Sequence, residues 1–324
     1  MDNSKDISVI IVNYNNIDLL DQCLFTLIEY TKGLEYEIIV VDNNSTDGNI
    51  DDILKKYNQI KLIKNKQNIG FAKANNLAIK QAKGKYILLL NNDTYFLENS
   101  IKKVLDFARS QNTACLVGCG LLNEDNSIQN SVYSFPSATN IFTSNMFLYK
   151  LFPGSKKLNK SFSMNNTVSQ PLVVDVVIGA FMLIPRYIFV ELEGFDERFE
   201  FYHEDTDLCY RFKKKYGNVI YFQKTEVVHL GGGTTKKYLW FHYKNRSISI
   251  IKFMQKHFTG TKFAIGILSH YIGILIRIPI LMIAGIFLPR KAFIQRAIYY
   301  IVLLFIYPKN IFKQSNGKVL TSLL

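Results

Sequence analysis

Asp93 closes the run Asn91-Asn92-Asp93 directly after the apolar stretch YILLL. A carboxylate there projects from the end of a strand. One or two such groups suffice for a divalent cation that bridges a diphosphate, because phosphates and water supply the other oxygens. The same residue could instead cap the helix around Ile101. Asp42, in VVDNNSTDG, can accept the imide N–H of a uracil or thymine ring or hold a ribose hydroxyl, or it can form an Asx turn. Gly70 opens the helical stretch Phe71–Ala82, where backbone N–H groups can approach a phosphate; a plain turn accounts for the same glycine. His203, Glu204 and Asp205 follow the aromatic loop FEFY, a grouping suited to a general base that takes a proton from a sugar hydroxyl. Acids at this point and Lys213–Lys215 beyond also complement a helix dipole. His229 ends EVVH ahead of GGGTT, as a second metal ligand or as a structural imidazole.

Positioning these groups requires a scaffold. Apolar, β-branched runs occur at Ile7–Val12, Glu37–Val41, Ile60–Ile63, Tyr86–Leu90 and Ala114–Val117. Between them lie helical patterns such as Ile101, Val104, Leu105 and Ala108. Strands this uniformly apolar are buried on both faces, which predicts a parallel sheet flanked by helices. Ligands then bind beyond the carboxyl ends of the strands. The loops there read NYNN, DNNSTDG, NKQNIGF and NNDTY. Residues 121–172 are polar and aromatic with weak periodicity and are expected to form loops and short elements near the acceptor side, after which Val173–Ile184 returns to strand character.

Charge divides the chain. The net charge is +13, yet residues 1–226 carry 25 basic against 26 acidic groups; beyond Glu226 lie 14 Lys and Arg and no carboxylate side chain. Such asymmetry implies an anionic partner. The tail basics flank apolar runs, which favours lipid head groups over nucleic acid. Apolar content of 48% is high for a soluble domain and low for a polytopic membrane protein. Thr261–Leu288 is interrupted by Lys262, Arg277 and Pro279, and Ala297–Pro308 is short, so helices lying in the interface are expected rather than a clean span. Lys262, Gly266, Ser269, His270, Gly273 and Arg277 share one helical stripe. Cys23, Cys115, Cys119 and Cys209 show no zinc spacing and read as reduced and cytosolic. The opening MDNSKDISVIIVNY reads as a first strand, not a signal peptide.

Taken in order, SVIIVNYN, EIIVVDNNSTDG, NIGFAKANN, ILLLNNDT, GAFMLIPR, GFDERFEFYHEDTDL and VVHLGGGT resemble glycosyltransferase family 2, in particular its rhamnosyltransferase-like branch. The resemblance covers about residues 6–250. It implies a GT-A nucleotide-diphospho-sugar transferase fold, an α/β fold with a mainly parallel sheet, followed by an apolar, basic helical tail. The implied catalytic domain is 1–250, with a nucleotide-binding half 1–120 and an acceptor half 121–250, and 251–324 associates with a membrane. By the same resemblance Asn13, Tyr14 and Asn15 surround the nucleobase and Asp42 binds base or ribose. Gly70, Phe71, Asn75 and Asn92 line the nucleotide pocket, and Gly232 to Thr234 fold over the donor. Asp93 and His229 hold Mg²⁺ or Mn²⁺, Asp205 is the base with Glu204 beside it, and Asn245 and Arg246 face a pyrophosphate or lipid phosphate. The implied reaction inverts the anomeric centre, with dTDP-rhamnose the leading donor and a UDP-sugar the alternative. The implied acceptor is a lipid-linked or cell-surface glycan precursor at the cytoplasmic face of the membrane, reached through peripheral or monotopic attachment, with no nucleic-acid partner. Two departures stand out: the family's DxD motif appears as Asn91-Asn92-Asp93, and the QxxRW motif of processive synthases is absent. A non-catalytic membrane scaffold would be expected to lose Asp93 or Asp205, and both are present.

Overall fold

The computed structural model describes residues 5–146, 148, 152, 170–231, 239–287 and 291–312. The chain divides into two compact units, one of Met1–Phe135 with Ser163–Lys237 and one of Pro136–Phe162 with Tyr238–Leu324.

The first unit is built on a nine-stranded sheet. Strands β1 (Ile7–Asn13), β2 (Tyr36–Asp42), β3 (Ile60–Lys64) and β4 (Tyr86–Asn91) are parallel and lie in the order β3-β2-β1-β4. Their uniform apolarity has a simple cause. Ile7, Val9 and Ile11 enter one core layer while Ile10 enters the other, and Ile38 and Val40 alternate with Ile39 and Val41 in the same way. Helices α1 (Ile17–Tyr30), α2 (Ile50–Lys56) and α4 (Ser100–Ser110) cover the first layer, and α3 (Phe71–Ile79) the second.

Beyond β4 the sheet is mixed. It continues through strand β10 (Phe181–Pro185), antiparallel to both neighbours, then β6 (Leu116–Leu122), β11 (Val219–His229) and β5 (Thr94–Phe96). β6 begins later and runs further than the apolar run Ala114–Val117 suggested, because Gly118 and Gly120 belong to the strand. A Cβ on Gly118 would stand 2.7 Å from Val177 Cβ, and one on Gly120 2.7 Å from Glu226 Cγ. The expected strand block Val173–Ile184 is split into β8 (Leu172–Val174), β9 (Val176–Val177) and the start of β10, with β9 paired to β7 (Val132–Tyr133). Helices α6 (Arg186–Glu191) and α7 (Glu204–Lys215) complete the second layer.

The second unit contains α5 (Ala138–Asn145), α8 (Leu239–His257), α9 (Gly260–Phe287) and α10 (Lys291–Phe312). Helix α8 falls in this unit, where its Ile251 and Met254 share a small core with Ile141, Ile274 and Leu303. Helix α9 is one continuous helix of 28 residues that runs through Arg277 and Pro279, and by length and composition it is long and apolar enough to cross a bilayer. Of the polar stripe along it, Gly266, Ser269 and Gly273 are buried, while Lys262 at its start is exposed.

Candidate active site

Strand register sets Asn13 beside Asp42 and Val12 beside Asn91, so the carboxyl ends of β2, β1 and β4 form one edge. The chain leaves β1 for β2 and β3 on one side and returns to β4 on the other. Loops that diverge from such a reversal leave a crevice between them. Asn13 is fully buried in its floor; its Nδ2 donates to Ser45 Oγ at 3.1 Å and reaches Asp42 Oδ1 at 3.5 Å. Its Oδ1 accepts from Asn92 Nδ2 at 2.6 Å, tying the β1 loop to the β4 loop. The Asx turn that competed for Asp42 is present, for Oδ2 accepts from Ser45 N at 3.3 Å. Asn15, in the left-handed region at φ 53°, braces the same loop: its N–H donates to Ser45 Oγ and its Oδ1 accepts from Thr46 N at 2.7 Å. Tyr14 between them is half-buried, its carbonyl accepting from Asn16 Nδ2.

Gly70 caps α3 with φ 85° and ψ 164°, a conformation that side chains exclude. A set of asparagines holds it in place. Asn43 donates to Asn68 Oδ1 at 2.8 Å, and Asn68 Oδ1 in turn accepts from Gly70 N at 2.9 Å. Phe71 packs against Phe195 with ring centroids 6.0 Å apart. Asn75 is buried and its Nδ2 donates to the Phe71 carbonyl, so it steadies the first turn of α3. Its neighbour Asn76 clamps the 195 loop, donating to Phe195 O and accepting from Phe195 N, both at 2.9 Å.

The end of β4 meets the end of β11. Asp93 Oδ1 stands 3.3 Å from His229 Nε2, and Asn91 Nδ2 stands 3.2 Å from the same nitrogen. Gln129 determines which ring nitrogen carries the proton. Its Nε2 donates to His229 O and to Asn123 Oδ1, both at 2.9 Å, which leaves Oε1 to accept from His229 Nδ1 at 2.6 Å. With Nδ1–H given to Gln129, the Nε2 lone pair of that tautomer lies between Asn91 Nδ2 and Asp93 Oδ1. A ring nitrogen and a carboxylate oxygen 3.3 Å apart can together ligate one divalent cation. Among the described residues no group of three or more His, Cys, Asp or Glu could hold a metal, so the remaining oxygens would come from a diphosphate and water. Gln129 escaped the sequence reading because it lies in the aperiodic stretch SIQNSV, a hundred residues from its partner.

The acidic pair is linked to the same edge. Asn91 N donates to Ala180 O at 3.1 Å, and the preceding amide, Gly179 N, donates to Asp205 Oδ2 at 3.2 Å. Asp205 also accepts from Thr206 N at 2.6 Å. Burial raises its pKa, opposed by these hydrogen bonds. Glu204 is pushed up to about 8, by burial first and by the Asp205 charge second, and its Oε2 is buried with no hydrogen-bond partner among the described residues. Burial thus favours the neutral form of both carboxyls, Glu204 the more, while the donors around Asp205 favour its ionised form. Tyr202 and His203, immediately before, both have positive φ, 69° and 63°. Backbone held in this region by ordinary side chains costs about 1–3 kcal/mol per residue and is tolerated where the next side chains must be aimed.

The other expected residues are placed elsewhere. Gly232 and Thr234 lie outside the described residues. Asn245 and Arg246 belong to α8 of the second unit, Asn245 buried and donating to Phe241 O, Arg246 exposed.

The chain is similar to several known glycosyltransferases. The chain is 27% identical over 247 residues to rhamnosyltransferase WbbL of Escherichia coli K12, covering 74% of this chain and 85% of that one. It is 25% identical over 228 residues to an N-acetylglucosaminyl-diphospho-decaprenol L-rhamnosyltransferase of Mycobacterium tuberculosis, covering 65% and 73%. A poly(ribitol-phosphate) beta-glucosyltransferase of Bacillus spizizenii is 37% identical over 117 residues, 35% of this chain but only 18% of the relative's length. Among solved structures, the mannosyltransferase PcManGT of Pyrobaculum calidifontis, in complex with GDP-Man and Mn²⁺, aligns with a TM-score of 0.57 at 13% identity over 96% of this chain and 88% of its own. Staphylococcus aureus TarS 1-349 aligns at 0.54 and 14% identity over 94% and 81%. These likenesses establish the GT-A fold. The family model for glycosyl transferase family 2 matches residues 8–192, from β1 through α6 and across the loops that carry Asn13, Asp42, Gly70 and Asp93, and the chain belongs to that family.

Proposed function

We propose that this glycosyltransferase moves a sugar, with rhamnose from dTDP-rhamnose the leading donor, onto a lipid-linked or cell-surface glycan precursor with inversion at the anomeric carbon. The observation that carries the reading is the short path from Asn91 N through Ala180 and Gly179 to Asp205, which sets a buried carboxylate beside the strand end that bears Asp93. The relatives named as rhamnosyltransferases support the donor sugar.

Asp42 and Asn13, with Tyr14 and Asn15, receive the base and ribose. Gly70, Phe71 and Asn92 border the diphosphate, with Asn75 steadying Phe71. Asp93 and His229 hold a divalent cation, Mg²⁺ or Mn²⁺, as the Mn²⁺ in the PcManGT complex supports. That ion, when bound, neutralises charge on the departing nucleoside diphosphate. Asp205 accepts the proton of the acceptor hydroxyl as its oxygen attacks the anomeric carbon from the face opposite the leaving group. The C–O bond to the diphosphate breaks as the new C–O bond forms, so one displacement inverts the centre without a covalent enzyme intermediate. Glu204, protonated, adds no second negative charge beside the forming bond. The cationic second unit supports attachment to an anionic cytoplasmic membrane face.

The test is a panel of dTDP-, UDP- and GDP-sugars with Mn²⁺, assayed for release of nucleoside diphosphate. Release from dTDP-rhamnose above the others is expected and Asp205→Asn should remove it. Preferential release of UDP would replace the donor assignment, and a folded protein that releases none would sink the catalytic reading.

A further inference from the structure

Strand β11 changes the face it presents partway along. Val219 and Tyr221 enter the second core layer, Ile220 and Phe222 the first, as alternate residues of a strand must. Continued, that alternation would return Val227 to the second layer, yet Val227 packs in the first. The reversal lies in the pairing with β6. Phe222 partners Cys119, and the next residue of β6, Gly120, partners Glu226, so Gln223, Lys224 and Thr225 are extra. An odd number of extra residues turns every later side chain to the opposite face. His229, two residues beyond Val227, turns with it and pairs with Thr94 of β5, next to Asp93. In an unbroken β11, position 229 would be turned to the second layer, away from the face on which Phe96 and Val227 lie.

Buried hydroxyls hold the bulge. Thr225 is buried, and its Oγ1 donates to Glu98 and stands 2.8 Å from Ser100 Oγ. Ser100, fully buried at the start of α4, donates in turn to Glu226 O at 3.0 Å. Glu98 is steadied by Lys103 from the same helix. On the other side β6 makes room, for a Cβ on Gly120 would stand 2.7 Å from Glu226 Cγ and 3.2 Å from Thr225 O. Residues extra to a ladder have no strand partner to fix their register, so side chains must do it. Here α4 does it through two hydroxyls and a carboxylate, and in such a buried network each member depends on the others.

We propose that Thr225, with Glu98 and Ser100, is a positioning residue of the candidate active site: it fixes the bulge in β11 that turns His229 toward Asp93. The bulge acts at a distance of four residues, through strand parity, and touches neither the cation nor the donor. Leu230 N, donating to Asp93 O at 3.0 Å, carries the same register one residue past the imidazole. The inference rests on the transferase reading only where it treats His229 as a ligand to the cation; the placement of the imidazole stands apart from that reading.

The experiment reads His229 directly. In the full chain labelled with nitrogen-15 histidine, the ring signals of His229 are assigned by their loss in His229→Gln, and their shifts report which nitrogen carries the proton. Thr225→Val keeps the shape and removes the hydroxyl. It is expected to displace both signals and to weaken Mn²⁺ binding about tenfold, the lower end of what removing a group that holds a metal ligand does, while Thr225→Ser stays near the wild type. Should Thr225→Val not fold, as read by its thermal melt, Ser100→Ala carries the same expectation. Ile53→Ala, a core truncation on α2, should lower the melting temperature and leave the His229 signals in place. Unmoved signals in folded Thr225→Val or Ser100→Ala would overturn the proposal. An equal displacement in Ile53→Ala would reduce it to general loosening and overturn it as well. A wild type that binds no Mn²⁺ would remove the cation reading alone, and the imidazole signals would still decide what places His229.

Discussion

Gln129 grips His229 at two points, accepting from ring Nδ1 at 2.6 Å and donating to the backbone carbonyl at 2.9 Å. One side chain therefore sets both the tautomer and the position of the imidazole. Partners of this kind typically change metal affinity by about 10–100-fold when removed. Gln129→Leu should weaken Mn²⁺ binding by that order, read by Mn²⁺ titration in electron paramagnetic resonance, while the fold survives. Asp93→Ala should abolish both Mn²⁺ binding and turnover, and EDTA should do so reversibly. Unchanged Mn²⁺ affinity in both variants would remove the cation from Asp93 and His229.

Asp205→Asn keeps the shape and the hydrogen-bond acceptor toward Gly179 N but cannot take a proton. Turnover should fall by roughly 10²–10⁴ with donor affinity nearly unchanged. The alternative role, a carboxylate that complements the start of α7, predicts instead a lower melting temperature with an unaltered rate per folded molecule.

Glu204 links pH to stability. Its carboxyl is raised from 4.5 to about 8 in the folded chain by burial and by Asp205. Between these values the folded state binds more protons than the unfolded state, so unfolding becomes easier as pH rises. The contribution is complete below about pH 4.5 and is lost by about pH 8. The melting temperature of the wild type should decline across that window, and Glu204→Gln should flatten the decline. A variant whose profile overlays the wild type would place the titration elsewhere.

The strands were legible in the sequence because both of their faces are buried: Ile7 through Ile11 read as one apolar run while feeding two core layers. The site residues at strand ends were legible for the same reason, since Asp42 and Asp93 follow such runs directly. Gln129 was not, because nothing local to SIQNSV records a contact with residue 229. Nor was the continuity of α9. Arg277 and Pro279 look like breaks in one dimension, yet Arg277 is satisfied by carbonyls and Asn145 from α5. Pro279 removes one backbone donor from α9, and the helix continues through it. A short element of the weakly periodic stretch is α5, Ala138–Asn145, which belongs to the second unit.

Attachment to vesicles should resist salt. Charge attraction supplies on the order of 1 kcal/mol per lysine or arginine near an anionic surface and is screened, but apolar burial is not. Ile280, Ile283, Ile286 and Phe287 are all exposed on α9. Each would gain roughly 1.5–3 kcal/mol on entering hydrocarbon. The full chain should stay with anionic vesicles in molar salt, and Ile283→Asp should weaken that retention. Complete release by salt would return α9 to a merely electrostatic contact.

Truncation after Gly260 tests how the second unit holds together. A tail that only lies on a membrane could be removed without loss to the rest. Here Ile274 of α9 and Leu303 of α10 are buried against Ile141, Ile251 and Met254. Helix α9 comes close to α8 at Gly266, where a Cβ would meet Met254 Sδ at 2.7 Å. Removing α9 and α10 uncovers that cluster, and each newly exposed aliphatic side chain forfeits roughly 1.5–3 kcal/mol. The fragment ending at Gly260 should therefore aggregate or show a second, earlier melting transition. Met254→Ser in the same fragment should improve its solubility, because it removes an exposed apolar group that the full chain buries. A monodisperse fragment that melts like the intact chain would mean that α5 and α8 need neither α9 nor α10.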